Sequence, residues 1–267
     1  MVIDFHAHIF PDKLAARAVQ STEEFYTLPV RRKGTVSDLL ESGKAGDGMG
    51  KIDGFVVFSA AAVPGQVASI NTYIAGVANA HPELTGFGTM HPDLPNPGEE
   101  IDRMIKLGLK GVKFHPDMQR FNIDDKRMME IYSLLSGRLP VIFHTGDYRY
   151  SWSHPSRLAK VLDTFPGLTV IAAHFGGWSI FDLALEYLKD RSCYFDISSS
   201  LPFLGNRRSK ELIRVYGAER FLFGSDYPMW EPVSCLDEFL GLDLNNRERD
   251  LILYKNALGI LKGREAP

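Results

Sequence analysis

The first apolar run of the chain, Val2-Ile3-Asp4-Phe5-His6-Ala7-His8, ends in two histidines two residues apart. A run of this kind makes a buried strand, and side chains at i and i+2 of a strand point to the same face. His6 and His8 therefore form a natural metal-binding edge. A bare His-x-His is as often a chance pair. Here, later apolar runs end in the same residue types: Lys113 and His115 in GVKFH, His144 in PVIFH, His174 in LTVIAAH and Asp226 in RFLFGSD. Any one of these histidines alone is better explained as a core residue with a satisfied hydrogen bond. The combination reverses that preference. Three imidazoles and a carboxylate suit a borderline divalent ion such as Zn2+, with one position left open for water. Such an ion lowers the pKa of its water towards about 7, and a neighbouring imidazole or carboxylate can carry the proton.

The elements that must present these residues alternate regularly. Apolar strands are expected at residues 2–5, 53–60, 84–90, 111–115, 140–144, 168–174, 194–198 and 220–226. Helices are expected at about 12–20, 36–40, 66–80, 98–107, 124–135, 155–164, 180–188, 209–216 and 247–261. Asp12 and Thr35 are candidate helix caps, and the glycines at 43, 46, 48 and 50 end the second helix. Residues 21–34, with Arg31, Arg32 and Lys33, read as a loop over one end of the fold, where the two arginines are candidates to lid the pocket. Strands that are apolar on both faces and alternate with helices imply a parallel sheet. Eight such units in about 250 residues are the count of a (β/α)8 TIM barrel, whose catalytic groups sit at the C-terminal ends of the strands. An open doubly wound sheet is the rival, but no GxGxxG follows the first strand. No linker or low-complexity tract divides the chain, so residues 1–267 are expected to form one domain.

Composition narrows the function classes. Hydrophobic residues are 45% and charged residues 24% of the chain, the proportions of an ordinary soluble globular protein. A net charge of −3 provides no basic field for nucleic acid or an anionic membrane. Cys193 and Cys235 lack metal-type spacing and suit a reducing cytosol better than a disulfide scaffold. No apolar run has the length of a membrane span, and no basic-then-apolar leader opens the chain. The expected setting is the cytoplasm, with a small-molecule substrate, no nucleic acid and no membrane; a homodimer is left open.

Taken together, His-x-His in the first strand, the histidines ending the fifth and sixth, His174-Phe175-Gly176-Gly177 and Gly224-Ser225-Asp226-Tyr227-Pro228 resemble the amidohydrolase superfamily. The resemblance is greatest to its aminocarboxymuconate-semialdehyde decarboxylase-like branch, amidohydrolase family 2. Lys255-Asn256-Ala257-Leu258 resembles the ending of that branch, so the likeness runs from residue 2 to about 261. It implies that His6, His8 and His144 are metal ligands, and that Asp226 is a further ligand or holds the metal-bound water and takes its proton. It implies a catalytic acid/base role beside the metal for His174; in binuclear members of the superfamily the matching residue holds a second ion. One Zn2+ per chain is the expected cofactor. A carboxylated Lys113 bridging a second metal is the alternative, and the plainer reading pairs Lys113 with Asp226 or with a substrate carboxylate.

His115 is a candidate substrate contact or simply the end of its strand. Asp196 alternates with Tyr194 and Ser198, so it either braces the site or bonds to substrate. Asp147, Arg149 and Trp178 follow strands where substrate contacts belong, although each is equally well a plain loop residue. His81, His91 and His154 lie beside prolines and read as structural. The expected activity is a metal-dependent hydrolase that opens a small, carboxylated amide, ester or lactone with a metal-activated water. The alternative is a nonoxidative decarboxylase built on the same ligands, in which His174 protonates the carbon that CO2 leaves. A catalytically silent barrel used for binding is the remaining reading, and the intact ligand set speaks against it.

Overall fold

The computed structural model describes residues 1–44 and 51–263. Its strands, in chain order, are β1 (Ile3–His8), β2 (Gly54–Phe58), β3 (Leu84–Gly86), β4 (Gly88–Thr89), β5 (Val112–Phe114), β6 (Val141–Phe143), β7 (Val170–Ala172), β8 (Tyr194–Asp196) and β9 (Phe221–Leu222). The helices that follow β1 to β4 are α1 (Asp12–Tyr26), α2 (Val36–Ser42), α3 (Val67–Ala80) and α4 (Pro97–Lys106). Those after β5 to β8 are α5 (Pro116–Gln119), α6 (Lys126–Leu135), α7 (Pro155–Thr164), α8 (Phe181–Leu188) and α9 (Leu201–Tyr216). After β9 come α10 (Pro232–Leu240), α11 (Asn246–Asp250) and α12 (Asn256–Leu261).

Neighbouring strands pair in parallel and in chain order, β1-β2-β3 in one sheet and β4 to β9 in the other. β3 and β4 are two halves of one stave interrupted at Phe87, whose N–H donates to the Val57 carbonyl at 2.9 Å. The ring closes between β1 and the end of β9: Phe5 N donates to Phe223 O at 2.8 Å, and Asp226 N donates to His6 O at 2.8 Å. This is the expected (β/α)8 barrel.

Alternation along the staves sorts the residues into layers. Val112, Phe114, Val141, Phe143, Val170 and Ala172 pack outward into the large core under the helices. Phe5, Phe58, Phe87, Ile142, Ile171 and Leu222 fill the barrel interior with Ala257 and Ile260 of α12. The residues two further along each stave then emerge at the mouth, His144 after Ile142 and Asp196 after Tyr194. β1 departs from strict alternation, because its register against β2 shifts between Asp4 and Ala7. Consecutive Phe5 and His6 therefore both reach the interior. Asn256 donates to the Ala218 and Phe221 carbonyls at 2.9 and 2.8 Å, which fastens α12 under the barrel.

Several expected boundaries move. The first helix runs on to Tyr26 and ends at Thr27 in the left-handed region, so the expected loop at 21–34 starts later. Ala18, Thr22, Phe25 and Tyr26 continue a three-to-four-residue spacing that their polar neighbours mask. Asp12 lies in the first turn of α1 and does not cap it, whereas Thr35 does cap α2, accepting from Asp38 N at 3.3 Å. Gly43 ends α2, while the glycines at 46, 48 and 50 lie outside the described residues. The helix expected from 209 starts at Leu201, with a kink at Gly205. Arg32 ties down its own segment through Asp38 at 3.0 Å and Glu231 at 2.9 Å. No helix of the described residues is long and apolar enough to cross a membrane.

Candidate active site

The barrel mouth is held together by a few contacts between distant segments. Asp4 accepts from His6 N at 3.0 Å, Ser225 N at 3.0 Å and the Ser225 hydroxyl at 2.5 Å, clasping β1 to the loop after β9. A Cβ on Gly146 would lie 2.5 Å from the Gly177 carbonyl carbon, so a glycine here, with φ +81°, lets the segments after β6 and β7 abut. His174, Ser199 and Asp226 have φ of 60°, 49° and 64°. Left-handed backbone at such residues costs on the order of 1–3 kcal/mol each and concentrates where function constrains the chain.

Asp226 Oδ1 lies 3.2 Å from His6 Nε2 and 3.6 Å from His8 Nε2. The other oxygen, Oδ2, accepts from Ser199 Oγ at 2.5 Å, and Ser199 in turn accepts from the Trp230 indole at 2.8 Å. Behind His6, Nδ1 contacts Asp196 Oδ2 at 2.8 Å. A carboxylate only accepts, so Nδ1 carries the proton and Nε2 keeps its lone pair. The same reasoning applies to His144, whose Nε2 donates to Gly146 O at 3.1 Å, and to His174, whose Nδ1 donates to Ser198 O at 3.0 Å. Their remaining lone pairs, His144 Nδ1 and His174 Nε2, face each other at 3.0 Å. Lys113 Nζ donates to His6 Nε2 at 3.0 Å and sits 4.9 Å above the Phe58 ring.

Burial is the main influence on the protonation states. It holds His6, His8, His115 and His144 well below the usual imidazole value, with His115 adding for His144 and Lys113 adding for the other three. His174 is pushed down to about 4 by burial, against the pull of Asp196. Burial likewise lowers Lys113 to about 8 and raises Asp226 to about 7, the latter opposed by the Ser199 hydrogen bond and by Lys113. Neutral imidazoles with converging lone pairs around a carboxylate are the donor set of a divalent cation, and the ligand atoms of His6, His8 and Asp226 lie within 4.8 Å of one another. His144, expected beside them, stands one imidazole further, against His174. His115, Asp117 and His144 also cluster within that distance. There, however, His115 Nδ1 accepts from Met118 N at 3.3 Å and its Nε2 meets the Tyr26 hydroxyl at 2.7 Å, so His115 has no free lone pair to offer an ion.

The remaining expected residues divide. His115 stacks on His144, ring centroids 4.0 Å apart, and Trp178 stands edge-on to Tyr26 at 5.4 Å. Asp196 faces the back of His6 and also accepts from His174 N at 3.0 Å, which is the bracing arrangement. Asp147 is engaged by Arg149 at 2.6 Å, and Arg149 donates to Phe25 O at 2.5 Å, fastening the end of α1. Lys113 has His6, not Asp226, as its direct partner. Tyr26, Ser198, Ser199, Trp230 and Asp117 were not expected here. The serines of Ser198-Ser199-Ser200 directly after a strand were an available signal, whereas Tyr26 lay in the segment read as loop. Two cavities open from the cluster. One is a narrow aromatic slot lined by Tyr26, His174, Trp178, Phe203 and Trp230, and the other, of about 1030 Å³, runs from His8 and Asp226 along α1.

The family model described as amidohydrolase matches residues 3–262. Among curated proteins, no sequence matches this chain. A TIM-barrel protein of Bordetella bronchiseptica is similar in structure, with a TM-score of 0.75 and 21% identity over 98% of both chains. So is the 5-carboxyvanillate decarboxylase of Sphingomonas paucimobilis, with a TM-score of 0.72 and 15% identity over 98% of both chains. The dihydroxybenzoic acid decarboxylase of Polaromonas sp. JS666, with bound manganese and the inhibitor 2-nitroresorcinol, has a TM-score of 0.73 and 16% identity. That match covers 98% of this chain and 96% of the other.

Proposed function

Because the chain belongs to the amidohydrolase family, we propose that it is a metal-dependent nonoxidative decarboxylase of a small, unsaturated or aromatic carboxylic acid. The observation that carries this reading is the position of His174. Its Nε2 lone pair faces the imidazole–carboxylate cluster while its ring lines a slot walled by Tyr26, Trp178, Phe203 and Trp230. These aromatic walls leave little room for water beside a carboxylate at His174, which favours a transition state whose charge is spread over an unsaturated skeleton. The similarity to two decarboxylases of carboxylated phenols supports the same choice over hydrolysis.

In this reading His6, His8, His144 and Asp226 hold one divalent ion, with Lys113 as an amine beside it and not as a bridge to a second. Zn2+ follows from the imidazole-rich donors, and Mn2+, bound by one structural relative, is its competitor. Bound there, the ion supplies a Lewis acid that anchors substrate oxygen. Asp196 and the Ser198 carbonyl hold His6 and His174 in fixed tautomers. A bound carboxylate favours the charged ring, so His174 takes up a proton at Nε2 with the substrate. As the bond from carbon to the carboxylate breaks, its electron pair stays on carbon, CO2 departs, and that Nε2 proton forms the new C–H bond. Water then returns a proton to His174. The enzyme works in the cytoplasm, and residues 1–267 act as one catalytic domain.

Hydrolysis of an amide, ester or lactone is the second reading. It draws on Asp226, which the Ser199 hydroxyl orients and whose carboxyl is raised to about 7 by burial, near the value of a working base. One experiment separates the two. Metal-replete protein is incubated with a panel of aromatic acids, amides and lactones in water labelled at oxygen. Release of CO2 without label in the product supports decarboxylation, whereas labelled product without CO2 supports hydrolysis.

A further inference from the structure

The cavity of about 1030 Å³ is far larger than a single-ring acid requires, and α1 contributes to its lining from Lys13 and Arg17 near its start to Phe25 and Tyr26 at its end. The acidic groups in its lining, Asp117 and Asp226, lie with imidazoles, Asp226 beside His8 and Asp117 beside His115 and His144. The walls are apolar, with Leu14 and Phe25 from α1, Ile70 and Tyr73 from α3, and Met118 and Met229 opposite. Lys13, Arg17 and Arg120 also line it, all three exposed, and none makes an ion pair or side-chain hydrogen bond among the described residues. Two further features mark these cations. Lys13 and Arg17 are one turn apart on α1, a like-charge spacing that opposes the helix. Arg120 caps α5 in the left-handed region, φ 58°, where glycine or asparagine is favoured. Both placements work against local structure while adding positive charge to the cavity lining.

We propose that the substrate is elongated and mostly apolar and carries a second anionic group, carboxylate or phosphate, far from the reacting carbon. The reacting end lies at His174 and Asp226, the body extends along the apolar walls, and the distal anion meets Lys13, Arg17 and Arg120. Tyr26, His144 and Asp226 line both the aromatic slot and this cavity, so the reacting end of a molecule in the cavity lies against the slot. The proposal rests on the decarboxylase reading only for which end reacts.

The test measures binding separately from turnover. Benzoates bearing a hexyl chain that ends in methyl, carboxylate or phosphate are titrated calorimetrically into the protein. The anionic tails are expected to bind roughly tenfold more tightly than the methyl tail, with a gain that shrinks as salt is raised. The gain should vanish in the triple variant Lys13→Gln, Arg17→Gln, Arg120→Gln and reverse in Arg17→Glu, both checked for an unchanged melting temperature. The tighter of the two anionic tails identifies the group. Equal affinity for all three compounds overturns the proposal, as does a gain that survives in the triple variant. CO2 release is followed in parallel: tail preference without CO2 leaves this inference standing and removes decarboxylation, and CO2 release without tail preference does the opposite.

Discussion

His144 Nδ1 and His174 Nε2 face each other at 3.0 Å, and each ring directs its N–H to a carbonyl on its far side. Two lone pairs at that distance repel unless a proton or a cation lies against them. Burial disfavours a resting proton between them, which suits a cation at the His6–His8–Asp226 cluster that draws on the His144 lone pair and leaves that of His174 for a proton.

Metal binding should follow from this arrangement. Protein purified without chelators is expected to carry about one divalent ion per chain. His6→Ala with His8→Ala should abolish it, because the two rings share Asp226 Oδ1 as their common neighbour. Elemental analysis that finds full occupancy in the double variant would show that the ligands lie elsewhere.

Lys113 decides nuclearity. Its amine already donates to His6 Nε2 at 3.0 Å, the place a first ion would take. Burial lowers it to about 8, so it gives up its proton more readily than an ordinary lysine when an ion takes that place. Lys113→Met is therefore expected to retain one ion per chain. Two ions in the parent protein, both lost in Lys113→Met, would instead establish a bridged pair about 3.5–4 Å apart.

Asp4 should leave a mark on stability. Burial raises its carboxyl from 3.8 to about 7, although Ser225 and the His6 N–H oppose the shift. Between those two values the folded chain holds a proton that the unfolded chain has released. The contribution is thus complete below 3.8 and is lost as pH rises through about 7. Asp4→Asn, which resembles the protonated form, should flatten that slope in urea melts of chelator-treated protein between about pH 4 and 8. An unchanged slope would mean that Asp4 is ionised throughout.

Much of this site is legible in the sequence because strand periodicity is local. Residues two apart share a face, so His6 with His8 and Lys113 with His115 could be placed before any tertiary contact was known. Strand ends in a parallel barrel meet at one mouth, which brings in His144, His174 and Asp226. What escaped detection depends on distant pairing. Asp4 looked like part of an apolar run, and its partner Ser225 is 221 residues away. Tyr26 arrives because α1 is a turn and a half longer than its polar residues advertise and because Arg149 holds its end. Asp147 and Arg149, two residues apart and each read separately as a substrate contact or a plain loop residue, are each other's partner.

His174 offers the sharpest separation of catalysis from metal binding. Ser198 O fixes its Nδ1–H, and Nε2 faces the cluster from within an aromatic slot. Its folded value is lowered from 6.5 to about 4 by burial, so in the free protein its charge disappears as pH rises through about 4. A bound carboxylate favours the charged ring and moves that value upward. The limb it controls should therefore lie at higher pH in kcat, which reports the complex, than in kcat/KM, which reports the free enzyme. Loss of a general acid/base typically costs about 10²–10⁴ in rate. His174→Asn is expected to keep its metal content and melting temperature while turnover falls by about that range and the limb disappears. Metal lost together with activity would make His174 a ligand, and undiminished turnover would remove it from the chemistry.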